Sequence, residues 1–257
     1  MALFTDGPIN DAAHLQNYEN SILQVANTEQ IDLAGKGALA QAEIASELEL
    51  FFLRRLHQRD FEFPIISAPT VSLRDVVLTE ALRRWHAHRT LALVYRDAYN
   101  NQLNDRYKGK WSEYEQLSRE SRHACFTIGV GLVSNPIPKA PLPMLTAVPG
   151  PGDAATYYVS AAWVNSSGQA GGASDAALLT TFTGQRLQVA MGAAPSIATG
   201  WNVYVGLSPD EMSPQNTSPI PPADSWTLAQ ALLTGPAQES GQHPQWFLRD
   251  ERVIERG

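Results

Sequence analysis

The chain has 257 residues, of which 44% are apolar, and a net charge of −7 at pH 7. This composition is normal for a globular protein of one or two domains, and the negative charge argues against a chain that binds nucleic acid over its whole surface. No apolar run approaches about 18 residues and the N-terminus lacks a signal-peptide pattern, so we expect neither a membrane span nor a signal peptide. The single cysteine, Cys125, excludes an internal disulfide framework.

A change of composition near residue 139 predicts two domains. Residues 1–139 hold 15 of the 19 lysines and arginines, whereas residues 140–257 hold 12 of the 17 prolines and 12 of the 18 glycines. The segment between them, SNPIPKAPLPM at 134–144, is rich in prolines, which favour an extended backbone. The predicted organisation is a first domain over 1–139, a second over 140–235 and an extended tail over 236–257.

The apolar residues of the first domain recur at intervals of three and four, which predicts helices. We expect helices over about 10–27, 28–57 and 72–102, with a break at FEFPIISAPT (61–70). Ser72 and Asp75 form a capping-box-like pair at the expected start of the third helix. A helix from 72 to 102 would be about 45 Å long, which suits an elongated bundle.

In the second predicted helix, the apolar residues that recur at intervals of three and four form a stride that is made of small residues near the start and bulky residues near the end. Ala42 lies on this stride, and the small residues should allow a close approach of a neighbouring helix. Phe51 and Leu53 predict a fuller core near the end of the helix. Gly35 and Gly37 each cost about 1 kcal/mol in a helix interior and argue against an unbroken helix.

The stretch LNDRYKGKWSEYEQLSRESRHACFTIG, residues 103–129, predicts a fourth helix. Its apolar face carries Tyr107, Trp111, Tyr114, Leu117 and Cys125. We interpret this face as a core stripe, because stacking on nucleic acid needs aromatic residues in a basic field and this stretch is rich in acids. The following FTIGVGLV predicts a strand or an extended crossing, and Cys125 is expected to be a buried, inert thiol.

The second domain alternates apolar and polar residues in short segments. Strands are predicted over 156–165, 186–192, 201–208 and 225–228. Short strands between loops rich in Gly, Pro and Ser predict a small antiparallel β-sandwich. The fold class is therefore an α+β multidomain protein, in which an N-terminal elongated α-helical bundle precedes a C-terminal antiparallel β-sandwich and an extended tail.

Two parts of the sequence resemble known protein families. YYVSAAWVNSSGQAGGAS and WNVYVGLSPDEM resemble fibronectin type III or immunoglobulin-like modules of phage virion proteins. LVYRDAYNNQLNDRYKGKWSEYEQLSRES resembles the helical core of tailed-phage head-to-tail connector proteins, also called adaptor or neck proteins.

The resemblance implies a structural virion protein, made in the host cytoplasm and located in the neck between head and tail. Such adaptors form a ring, commonly of about twelve copies, beneath the portal, and DNA passes through the ring without sequence-specific binding. The implied partners are other copies of the chain, the portal protein, and a tail or nozzle protein, with no membrane. In this placement, one helix stripe would close the protomer and another would meet its neighbours.

The sequence contains no recognised catalytic motif, so we expect neither an enzyme nor a cofactor. His86 and His88 are two residues apart, which points their rings to different helix faces and argues against a metal pair. DAYNNQLND (97–105) lacks the glycine and final glutamate of a calcium loop. No metal site is therefore expected.

Five residues are candidates for contacts with other proteins. Three arginines on the third helix could touch portal acids or phosphate, and a solvated or intersubunit face is the other interpretation. Two aromatic residues in the tail would be unusual on an isolated surface, so they are expected to dock. The candidates are Arg83, Arg84, Arg89, Trp246 and Phe247.

An alternative function from another class is a carbohydrate- or receptor-binding virion protein that uses the β-sandwich. Trp163 and Trp201 are aromatic residues of the kind that stack on sugars, although strand parity places at least Trp201 in the core. A third possibility, an enzyme whose helical half is catalytic, lacks an acid–base pair.

Overall fold

The computed structural model describes residues 1–62, 71–102, 105–229, 231–235 and 241–250. These residues form a mixed fold of helices and antiparallel sheets, which confirms the α+β class. The helices are α1 (Ala12–Tyr18), α2 (Ile22–Thr28), α3 (Leu33–Glu62), α4 (Glu80–Gln102) and α5 (Lys108–Ile128). The strands are β1 (Val130–Leu132), β2 (Met144–Pro149), β3 (Ala155–Asn165), β4 (Ala177–Thr181), β5 (Gln185–Ala190), β6 (Ala198–Gly206), β7 (Ser213–Pro214), β8 (Trp226–Thr227) and β9 (Trp246–Leu248).

Contacts divide the chain into two compact units. The helical unit contains Gly7–Leu132 and the C-terminal segment that begins at Pro244, and the β unit contains Met1–Asp6 and Val133–His243. The predicted domains 1–139, 140–235 and 236–257 stay a prediction. Their boundaries differ from these units at both ends of the chain, and residues 236–240 and 251–257 of the predicted tail lie outside the described residues.

The helices differ from the predicted ones at three boundaries. The first predicted helix is two helices, α1 and α2, separated at Glu19–Ser21. The second is continuous from Leu33 to Glu62 despite Gly35 and Gly37, and most of the predicted break at 61–70 lies outside the described residues. The third begins at Glu80 rather than at residue 72, so α4 is about 35 Å long and the expected 45 Å helix was wrong.

Local hydrogen bonds explain the late start of α4. The Asp75 carboxylate accepts hydrogen bonds from the backbone N–H of Ser72 at 2.8 Å and from its hydroxyl at 3.0 Å. This pair therefore caps a short 3-10 turn over Leu73–Asp75. Val76 and Val77 then extend beside β1, where Val77 donates its N–H to the Gly131 carbonyl at 2.9 Å, and this pairing prevents a helix there.

The predicted stripe on α5 is confirmed as core. Tyr107 and Tyr114 are buried, and Trp111 and Leu117 pack against the same apolar cluster. α4 supplies the centre of this cluster, and α1 and α2 cover it. The cluster residues of α4 are Ala87, Leu91, Ala92, Val94, Tyr95 and Ala98.

Helix α3 buries one face and exposes apolar residues on the other. Ile44 and Leu48 are fully buried, and Phe51 is buried as predicted. Ala42 and Leu53, which were expected in the core, are exposed. The expected burial of these two residues was wrong, because they lie on the side of the helix opposite Ile44 and Leu48 at about 100° per residue.

Strands β1 and β9 form a two-stranded antiparallel sheet within the helical unit. The register pairs Leu132 with Trp246, Gly131 with Phe247 and Val130 with Leu248. The predicted strand after α5 is confirmed, and α5 itself continues to Ile128. Because Val76 and Val77 line the other side of β1, this short strand has pairing partners on both edges.

The β unit contains two antiparallel sheets, with strand orders β2-β5-β8 and β4-β3-β6-β7. The four predicted strands correspond to β3, β5, β6 and β8. β2, β4 and β7 were missed, since β2 follows the proline-rich segment and β4 carries no strict alternation. Both sheets contribute to one core, in which Trp163 and Trp201 face each other across the β3–β6 pair and are fully buried.

We predict that Trp201→Ala destabilises the β unit by about 3–5 kcal/mol, because it removes a fully buried ring and leaves a cavity. The Pro221 carbonyl also loses the 3.1 Å hydrogen bond that it accepts from the indole N–H. Urea denaturation followed by circular dichroism measures the loss. The matched control is Phe182→Ala, whose ring is 68% exposed, with an expected change within about 0.5 kcal/mol. Equal effects of the two variants would contradict the assigned core.

Candidate functional site

The three candidate arginines occupy different environments on α4. The Arg83 guanidinium donates from Nη1 to the Ile9 carbonyl at 2.8 Å, so it holds the N-terminal segment against the helix. Arg89 is half-buried in ion pairs. Arg84 is exposed beside Tyr18. All three side chains thus make contacts inside the chain, and their role toward another protein stays a prediction.

Arg89 connects three helices. Its Nε lies 2.5 Å from the Glu43 carboxylate on α3, and its Nη1 donates to Glu115 on α5 at 2.9 Å. The hydrogen bond to Glu43, followed by the charges of both acids, raises the pKa of Arg89 above its ordinary value. Because its guanidinium binds two carboxylates, Arg89 fixes the relative orientation of the three helices α3, α4 and α5.

Further ion pairs join the helices outside the apolar cluster. Lys36 on α3 pairs with Asp97 on α4, and Arg122 on α5 pairs with Glu47 on α3. Lys110 on α5 lies 3.1 Å from Glu19, next to the end of α1. Lys36, Lys110 and Arg122 therefore bind acids of neighbouring elements.

His86 and His88 point to different elements, as their spacing predicts. His86 Nε2 donates to the Gly37 carbonyl on α3 at 3.0 Å, and its Nδ1 accepts from the Asn10 amide at 3.0 Å. His88 Nδ1 lies 2.7 Å from the Ser121 hydroxyl on α5. Burial lowers the pKa of His86 to about 4 and also lowers the pKa of His88, so both rings are neutral near pH 7.

The cysteine and the tyrosines of the apolar cluster are protected from solvent. Burial raises the pKa of Cys125 to about 12, and the thiol is buried, which agrees with the predicted inert cysteine. Tyr114 stacks on Tyr95 with ring centroids 5.6 Å apart and donates its hydroxyl to Glu19 at 2.9 Å. Burial, and then the hydrogen bond to Glu19, raises the pKa of Tyr114.

The aromatic pair of the tail lies in β9. Trp246 is half-buried opposite Leu132, whereas Phe247 is 45% exposed opposite Gly131. The backbone of this pair therefore docks on β1 of its own chain. The Phe247 ring remains available to another protein, and the predicted interface role stays a prediction.

Two clefts of the helical unit are small. One, of about 140 Å³, lies between the ends of α3 and α5 and is lined by Leu50, Phe51, Arg54, Phe126 and the Arg122–Glu47 pair. The other, of about 210 Å³, lies beside α2 and is lined by Tyr95, Arg106 and Lys110 among others. Both volumes are below the roughly 300–1,000 Å³ typical of pockets for small molecules.

The polar cluster at the end of α4 serves local contacts. Asp97 binds Lys36, and Asn101 donates to the Glu29 carbonyl at 3.0 Å. Part of the DAYNNQLND segment lies outside the described residues. Among the residues that the structure describes, no group of three or more His, Cys, Asp or Glu side chains is placed to hold a metal ion.

The exposed face of α3 carries a row of apolar and small residues, which we call the outer row. It contains Leu39, Ala42, Ser46, Leu50 and Leu53. Leu50 and Leu53 are each 52% exposed, and Leu39 is 41% exposed. The sequence analysis did not distinguish this exposed row from the buried face of α3. The presence of leucines on both sides of the helix was the feature that could have indicated it.

Burial also removes the aromatic residues that suggested sugar binding. Trp163 and Trp201 lie in the core of the β unit and have no face open to solvent. These two rings therefore cannot stack on a sugar, and the carbohydrate-binding alternative would need other residues.

No family model, curated protein or solved structure matches this chain. Among the described helices, none combines the length and the apolar character needed to cross a membrane.

We predict that Arg89→Met lowers the free energy of unfolding by about 1–3 kcal/mol, because two partly buried carboxylates lose their shared cation while the apolar stem is retained. Arg122→Met is the matched control, since its pair with Glu47 is more exposed, and we expect a loss of about 0–1 kcal/mol. Urea unfolding of both variants makes the comparison. A loss for Arg89→Met no larger than for Arg122→Met would contradict the bridging role.

We predict that acid destabilises the helical unit through its buried histidines. A ring with a folded-state pKa near 4 and an ordinary pKa of 6.5 binds a proton more readily in the unfolded chain, so stability is lost as pH falls from 6.5 toward 4. For His86 the loss is about 3 kcal/mol at most, at about 1.4 kcal/mol per pH unit. Urea unfolding between pH 7.5 and pH 4 should show a flatter slope for His86→Gln. The exposed His123→Gln should keep the slope of the unchanged protein, and an equal slope for His86→Gln would contradict the assignment.

Proposed function

We propose that this protein is a structural virion component, a head-to-tail adaptor that forms a ring beneath the portal. Its partners in this proposal are other copies of the chain, the portal protein and a tail or nozzle protein. Residues 93–121 resemble the helices of connector proteins, which is the first support for this role.

The observation that carries the proposal is the exposure of large apolar side chains on both units. Monomeric soluble proteins leave few such side chains grouped on their surfaces, and clusters of them mark contacts with other proteins. On the helical unit, outside the outer row of α3, they are Ile128 and Phe247. On the β unit they are Leu142, Met144, Leu178, Phe182, Leu207 and Leu233.

The use of charged residues also favours a structural role over a catalytic one. Acids and bases of the helical unit bind each other between helices, as in the contacts of Arg89, Lys36 and Arg122. An acid–base catalyst needs titratable groups that face a substrate cavity. The two clefts described above are small, and their linings include Glu47, Arg122 and Lys110, which are already engaged in such contacts.

The charge of the chain suits a channel through which DNA slides. Tight binding to duplex requires several lysines or arginines that reach phosphates. The net charge is −7, and Arg83 and Arg89 are bound within the chain. A ring of such copies would hold DNA loosely and without reading its sequence.

We also propose that the β unit is an immunoglobulin- or fibronectin type III-like sandwich. Two antiparallel sheets of three and four strands share one core, which supports this assignment. The alternative function, a glycan- or receptor-binding virion protein, has no supporting contact in the described residues once Trp163 and Trp201 are assigned to the core.

We predict ring particles of about twelve copies when the purified chain is examined at high concentration or with the portal protein of the same virion, because a repeated head-to-tail contact generates a ring when its rotation closes. Negative-stain microscopy and mass photometry, each with and without portal protein, measure the assembly. Portal protein alone is the control for its own rings. Particles no larger than a dimer of this chain in both conditions would overturn the adaptor proposal.

A further inference from the structure

The outer row of α3 has a spacing that reads the same in both directions. From Leu39 to Leu53 the steps are three, four, four and three residues, with Ser46 at the centre. All five side chains are exposed and share one side of the helix, within an arc of about 80° at 100° per residue. A row with this symmetry is complementary to a copy of itself that runs in the opposite direction.

We propose that the outer row is a docking surface for α3 of a second copy of this chain, packed antiparallel with a two-fold axis at Ser46. The axis places Leu39 against Leu53 of the second copy. It also places Ala42 against Leu50 of the second copy. This dimer is independent of the proposed ring, because a two-fold contact is complete with two copies and does not propagate.

Side-chain size favours the antiparallel arrangement over a parallel one. Antiparallel packing sets the small Ala42 against the large Leu50, so the distance between the two helices stays even along the row. A parallel pair would set alanine against alanine and leucine against leucine, which leaves a gap at one level and crowds the next. Ser46 at the centre is small enough for close approach.

The polar group of Ser46 is already satisfied within its own helix. Its hydroxyl donates to the Ala42 carbonyl at 3.1 Å. A second helix that covers this position therefore leaves no unpaired hydroxyl, and burying Ser46 costs little.

Charge opposes the contact only weakly. The outer row itself has no charged residue, and two of the acids beside it, Glu43 and Glu47, are paired with Arg89 and Arg122 of the same copy. The third acid, Glu49, is exposed at the edge of the row next to Ala42. Pairing within each copy lowers the repulsion that two glutamate-rich helices would otherwise show.

The size of the contact sets its expected strength. The row is about 21 Å long, and one helix pair of this length buries less than the roughly 800 Å² per partner of a standard interface. The dimer is therefore weak, and covalent trapping is the suitable assay.

Cysteine cross-linking tests the proposal. The native Cys125 is buried, so Ser46→Cys introduces the one accessible thiol. Two helices about 8–10 Å apart bring the Cα atoms at the axis close to disulfide distance. Under mild oxidation, Ser46→Cys should form disulfide-linked dimers about five-fold faster or more than Ser112→Cys, an exposed serine of α5, because pairing raises the effective concentration of the two thiols.

Direction is tested with the ends of the row. Leu39→Cys and Leu53→Cys should each cross-link poorly alone, since like positions lie about 21 Å apart along the antiparallel pair, and should cross-link with each other when mixed. Leu50→Glu in the Ser46→Cys background should slow the reaction to the Ser112→Cys rate while leaving the thermal midpoint unchanged, because Leu50 is exposed in the single copy.

Two results would overturn the inference. One is a Ser46→Cys rate equal to that of Ser112→Cys, and the other is efficient self-cross-linking of Leu39→Cys. Either result leaves the ring proposal untouched, since rings are seen by microscopy in the unmodified protein, and the absence of rings leaves the cross-linking result equally clear.

Discussion

Burial of α4 on nearly all sides is the constraint on which the helical unit depends. From Trp85 to Tyr95 each residue except Arg89 is buried, so this helix cannot leave a polar side chain without a partner. His86 reaches α3 and the N-terminal segment, His88 reaches α5, and Arg89 holds acids from both neighbouring helices. The polar residues of the central helix therefore fix the positions of the helices around it.

The same constraint limits the chemistry that this unit can perform. A histidine whose two nitrogens are bonded to a carbonyl and an amide is not free to exchange protons with a substrate, and an arginine between two carboxylates has little capacity for another anion. Function is then expected on the outer surfaces, where apolar side chains are exposed. This distribution agrees with a protein that acts by assembly.

Local patterns in the sequence predicted the parts of the fold that local forces determine. The Tyr107–Tyr114 stripe, the alternating segments of β3 and β6, and the buried Cys125 all follow from periodicity. The pairing of β1 with β9 could not be predicted in this way, because it joins segments more than 110 residues apart and depends on three residue pairs. The predicted start of α4 was wrong for a related reason. The capping signal at Ser72 caps a short 3-10 turn, and the two residues after that turn, Val76 and Val77, pair with the distant strand β1.

Helix α3 shows why the candidate surface was harder to predict than the core. Leucines and alanines occur on both of its sides, and a period of 3.6 residues identifies two apolar faces without saying which one the chain itself covers. The structure decides this point, since Ile44 and Leu48 pack inward while Leu39, Leu50 and Leu53 remain open. Side chains of this size contribute about 1.5–3 kcal/mol each when fully buried, so leaving three of them on one exposed face forgoes several kcal/mol in the single copy. The same face can recover that free energy only in contact with another surface, and the arginines that neutralise Glu43 and Glu47 leave the row apolar enough for that contact to form.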